Sequence, residues 1–87
     1  SKTYQDVIEF YFKSSVDIVI NKVELSVMDF NDELQGDPQT VYQKDEWYML
    51  VGYQGVEIGQ EWTFTFYGKE SASNNDYKVT TKYVVNN

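Results

Sequence analysis

An 87-residue chain has room for one domain with one core. Without cysteine, histidine or arginine, it excludes disulfides, zinc sites, thiol nucleophiles, imidazole bases and bidentate guanidinium contacts in one stroke. Seven lysines against fourteen carboxylates leave a net charge of −7 and a pI near 4.3, a field that repels phosphate backbones and anionic bilayers, so no nucleic-acid partner is expected.

The composition is 41% hydrophobic and 17% aromatic, with eight tyrosines beside two methionines, which suits a packed core built from strands more than helices. Apolar runs fall well short of the roughly 20 residues of a membrane span, and the first residues carry no signal-peptide pattern. The chain therefore reads as a single domain, 1–87, excised from a longer surface or secreted protein whose signal or anchor lies elsewhere. No membrane insertion within the chain is expected.

Period-2 alternation recurs along the chain, and helical spacing is hard to find. Tyr4 to Phe12 forms the first strand, with Ile8, Phe10 and Phe12 on its apolar face. In the run VDIVINKVELSVMDF the apolar parity changes: Val16, Ile18 and Ile20 share one phase, and Val23, Leu25 and Val27 share the other. Because a one-residue slip turns every side chain over, this run needs a bulge or bend near Asn21 and Lys22.

DFNDELQGDPQ stacks turn formers and predicts a turn, with Asp37-Pro38 as a stop. TVYQ and EWYMLVGY follow as strands, then a turn at Gln54-Gly55, a strand from Glu61 to Tyr67, the polar loop ESASNNDY, and the closing strand YKVTTKYVV. Any helix is limited to about one turn between residues 29 and 46. Short strands with regular turns predict an all-β, antiparallel two-sheet sandwich of six or seven strands.

In GQEWTFTFYG, Trp62, Phe64 and Phe66 stand on alternate positions opposite Glu61, Thr63 and Thr65. That pattern buries the rings and wets the threonines. Each ring contributes on the order of 2–3 kcal/mol when buried, which a small domain needs.

Carboxylates are the only acid–base equipment. The adjacent Asp45 and Glu46, and the pair Glu57 and Glu61, read as solvated charges, because a carboxylate pair does acid–base work only across a cleft with one pKa raised. No catalytic residue and no cofactor are expected. Asp29, Asn31 and Glu33 alternate as oxygen ligands do in a calcium loop, but Leu34 stands where such a loop needs glycine, and the simpler reading is an Asx turn. Trp47, Tyr48, Tyr53 and Tyr67 need not all fit inside; exposed rings on a sheet would suit a glycan or peptide ligand. Within EWYML, Trp47 and Tyr48 point to opposite faces.

The stretch LSVMD resembles the signature row of the FxLYD domains, immunoglobulin-like sandwiches of bacterial and archaeal cell-envelope proteins. Leu25 stands where that family has Phe, Val27 where it has Leu, Met28 where it has Tyr, and Asp29 is identical. IGQEWTF is similar to the later aromatic strand, with Ile58 in place of a proline and Gly59, Trp62 and Phe64 in register, and YKV is similar to the last strand. KDEWYMLVG looks like an insertion. The resemblance implies an immunoglobulin-like fold of about seven strands, a place in the cell envelope or outside the cell, and a non-catalytic interaction or spacer role toward a surface protein or glycan. It carries over no binding residues. The net charge favours a monomer.

Overall fold

The computed structural model describes residues 7–86, which form two antiparallel sheets and no helix among them. Strands β1 (Ile8–Phe12) and β4 (Tyr48–Tyr53) make a two-stranded sheet. Strands β2 (Ile18–Val27), β3 (Phe30–Gln35), β5 (Glu61–Glu70) and β6 (Asp76–Val84) make a second sheet in the order β3-β2-β5-β6. The expected strand from Tyr4 is observed from Ile8 onward; Tyr4, Gln5 and Asp6 lie outside the described residues.

The parity change in β2 is a bulge within one continuous strand. Pairing with β5 runs Ile20 to Gly68 and then Lys22 to Tyr67, leaving Asn21 as the extra residue. Ile18 and Ile20 before it, and Val23, Leu25 and Val27 after it, are consequently all buried.

The expected turn over DFNDELQGDPQ is corrected. The chain reverses earlier, at Met28 and Asp29, and Phe30–Gln35 returns as β3 with Val27 opposite Phe30 and Lys22 opposite Gln35. Met28 takes φ 51°, so a two-residue turn is closed by a side chain where glycine is usual. Ladder pairing with β2 outweighs the low strand propensity of Asn31 and Asp32, which sit on a polar edge strand. TVYQ forms no strand; its Tyr42 makes one isolated bridge to Ile18.

A second irregularity reorders EWYMLVGY. Phe10 pairs with Val51 and Tyr11 with Met49, so Leu50 is the extra residue of β4. Leu50, Val51 and Tyr53 all pack against the core, while Met49 faces out.

The two sheets meet through rings. Phe10 lies 4.9 Å from Trp62 and 5.3 Å from Phe64, Phe12 lies 5.5 Å from Phe66, and Tyr53 stacks on Trp62 at 5.3 Å. Trp62, Phe64 and Phe66 are buried as expected. The Trp62 indole N–H has no hydrogen-bond partner in this layer, which costs about 1–3 kcal/mol against an otherwise apolar burial.

Gly68 is required by close approach rather than by φ. A Cβ there would meet the Val19 carbonyl oxygen at 2.0 Å and the Tyr77 hydroxyl at 2.5 Å, because the Tyr77 ring crosses Gly68 to donate a 2.8 Å hydrogen bond to that same carbonyl.

Two expected outcomes follow for urea unfolding. Gly68→Ala should lower stability by about 1–3 kcal/mol, the usual cost of overpacking; a neutral result would mean the strands separate easily at this point. Trp62→Ala should cost about 3–5 kcal/mol, and Trp62→Phe clearly less, since phenylalanine fills much of the space without the unpaired donor.

Candidate functional site: an open apolar groove and an exposed tryptophan

The ring contacts place β1 and β4 over β5. Among the described residues, only one ring contact reaches β6, the edge-on pair Phe10 and Tyr83 at 6.2 Å. Strand β6 alternates just as β5 does, so Tyr77, Val79, Thr81 and Tyr83 face inward opposite Gly68, Phe66, Phe64 and Trp62. Little covers them: Val79 is 52% exposed and Tyr83 49%, against 9% and 3% for their partners Phe66 and Trp62.

The result is a groove of about 850 Å³ between β1 and β6. Every residue from Ile8 to Val16 lines it, inward and outward parities alike, so this wall is the edge of β1 and not one of its faces. The opposite wall is the inner face of β6, and Leu50, Phe64 and Phe66 lie between them. Among the described residues, β1 is hydrogen-bonded to a strand on one side only, and so is β6. Among the described residues, the charged ones lining the groove are Glu9, Glu70, Lys13 and Lys82, two of each sign on a protein of net charge −7. Tyr77 closes one end; burial, with a smaller contribution from Tyr42, pushes its hydroxyl up to about 12.

The four aromatic residues singled out in the sequence do not form one platform. Trp47 is 64% exposed beside the start of β4, with the Lys13 ammonium 4.8 Å from its ring centre, and it also lines the groove. Tyr48 turns inward, stacking on Phe12 at 5.8 Å and accepting a hydrogen bond from the Gln43 N–H. Tyr53 is inward too, because the extra residue at Leu50 reverses its parity relative to Trp47. Tyr67 lies on the outer face of the larger sheet, its hydroxyl donating to Glu24 at 2.5 Å and its ring flanked by Lys22 and Lys78. Of the four, Trp47 alone offers a largely open ring, with Tyr11 and Met49 exposed on the neighbouring cross-strand pair.

The calcium candidates stand on the β2–β3 hairpin and not in a loop. Asp29 occupies the turn, while Asn31 and Glu33 are exposed on β3. No three acidic groups among the described residues gather closely enough to hold a metal ion. Glu33 instead accepts from the Gln35 amide and lies 3.9 Å from Lys22.

Asp32 is one of the aspartates that the sequence did not single out. Its carboxylate accepts a short hydrogen bond from the Tyr53 hydroxyl, which, with the Glu33 N–H, holds its pKa below the usual value; burial and then Asp32 raise that of Tyr53. In the sequence the groove residues Val79, Thr81 and Tyr83 are alternate positions of the closing strand YKVTTKYVV. Nothing in an alternating pattern says whether a second layer covers it.

Comparison with known protein families, curated proteins and solved structures finds no match to this chain.

The tyrosine shifts set the alkaline limit. Above pH 10 the unfolded chain releases tyrosine protons that Tyr53 and Tyr77 retain when folded, so the unfolded state binds fewer protons and stability falls with rising pH. Stability measured in urea should decline between pH 10 and about 12. Tyr53→Phe should flatten that decline; an unchanged slope would place the titration elsewhere.

Proposed function

We propose that this chain is a non-catalytic interaction or spacer domain of a bacterial cell-envelope or secreted protein, built as an immunoglobulin-like β-sandwich. The order β3-β2-β5-β6 corresponds to the C′-C-F-G side of such a sandwich and β1-β4 to its B-E pair. Strands equivalent to A and D, which would flank β1 and β4, have no counterpart among the described residues. The likeness to FxLYD domains rests on the stretches around Leu25–Asp29 and Trp62–Phe64, and the extracytoplasmic placement rests on that likeness.

The observation that carries an interaction role is the groove. Inward-facing apolar side chains left half-exposed cost a small domain core area, and exposed apolar surface of this kind marks binding sites on soluble proteins. Fold alone assigns no partner.

A second reading, a carbohydrate-binding module, is favoured by Trp47, whose open indole beside Tyr11 could stack on a sugar ring.

The two readings separate in an NMR titration with soluble polysaccharides and cell-wall fragments that follows both indole signals. The interaction-domain reading expects cooperative unfolding of the isolated chain and unmoved indoles. Saturable movement of the Trp47 indole, abolished in Trp47→Ala with the fold intact, would replace it with the glycan module. Non-cooperative unfolding would end the independent-domain reading.

A further inference from the structure

We propose that the groove between β1 and β6 accepts an extended segment of a separate polypeptide, which pairs with the edge of β1 and sets alternate apolar side chains against Phe64, Phe66 and Val79. This rests on the interaction-domain reading and names the chemistry of its partner.

Three observations select a strand as the occupant. First, β1 presents its edge to the groove along its whole length, and a strand edge offers backbone N–H and C=O groups at the spacing that another extended backbone satisfies. A helix would leave those groups unpaired. Second, the wall opposite is a strand face whose inward residues recur every second position, so only a period-2 partner brings a side chain to each of them. Third, the groove is open along β1, whose five residues span about 17 Å at roughly 3.3 Å each, enough for a segment of similar length.

Charge decides between a second copy of this chain and a different partner. A second copy would bring a net charge of −7 against −7. Among the described residues the groove carries Lys13 and Lys82 against Glu9 and Glu70, so this described lining is balanced in charge on a chain of net charge −7. That mouth admits an uncharged, alternating segment without repulsion. The occupant is therefore a neutral strand of the form apolar, polar, apolar, polar, with β-branched side chains at the apolar positions.

The test uses the 87-residue chain and an end-capped nine-residue peptide alternating valine with serine or threonine. A control peptide has the same composition with its valines contiguous. Binding is followed by amide shifts and hydrogen exchange. The alternating peptide should bind saturably, move the amides of Ile8–Phe12 and Val79–Tyr83, and slow exchange at those β1 amides that do not face β4. Val79→Lys, at an exposed position where the fold tolerates it, should weaken binding at least tenfold, and Met28→Ala, on the β2–β3 turn outside the groove, should change it less than twofold.

Equal binding of the control peptide would overturn the proposal, because the site would then be a hydrophobic patch without register. Shifts confined to Trp47 and Met49, with Ile8–Phe12 and Val79–Tyr83 unmoved, would also overturn it, while leaving the interaction-domain reading in place. Self-association that protects the same β1 amides without peptide would identify a second copy as the occupant. Protection in the free chain that vanishes on deleting residues 1–6 would identify the chain's own start as the occupant. Absence of any binding by a folded chain would leave the spacer role alone.

Discussion

The ring layer between the two sheets is the contact on which everything else depends. A two-stranded sheet is marginal by itself in water, and β1-β4 persists because Phe10, Phe12 and Tyr53 lie against Trp62, Phe64 and Phe66. Aromatic side chains bury the largest areas and gain a little more from tilted or offset contact. Each such ring contributes on the order of 2–3 kcal/mol, comparable in sum to the whole stability of a small domain. The tolerance of an unpaired Trp62 N–H within this layer is a measure of how much apolar contact surrounds it.

The same layer explains where the surface is open. Two strands cannot cover four, and centring them on β5 shields β2 and β5 while leaving β6, among the described residues, with a single ring contact to the two-stranded sheet. The larger sheet's outer face is dressed differently, with Thr65 and Thr80 hydroxyls 3.0 Å apart and Tyr67 held between lysine chains. Its surface ion pairs, such as Lys69 with Asp76 at 2.7 Å, add little stability but keep that face wet. Polarity on one side of β6 and half-exposed apolar groups on the other give the strand two unlike surfaces, and only the apolar one faces an open groove.

Edges are where strand proteins associate, and this one has several. Strand β3 carries Asn31, Asp32 and Glu33, and the whole chain is strongly acidic, which discourages edge-to-edge contact between copies. The neutral patch along β1 is the exception to that acidic field, and its position beside uncovered core side chains makes the exception structural rather than incidental.

The alternation of Trp62, Phe64 and Phe66 against Glu61, Thr63 and Thr65 was enough by itself to establish a β core, and the parity change around Asn21 was enough to require the bulge that the structure contains. These are local signals, because side-chain direction in a strand follows from position along the backbone alone. The absence of histidine, cysteine and arginine likewise set the available chemistry before any folding was considered. What only the tertiary structure decided was which faces are covered. Strand β3 formed from turn-prone residues because β2 offered a ladder, Tyr53 turned inward because Leu50 is an extra residue opposite β1, and Val79 and Tyr83 stayed exposed because the upper sheet is two strands wide. Each of these outcomes depends on a neighbour distant in sequence, and a pattern of period two carries no information about what lies across the layer.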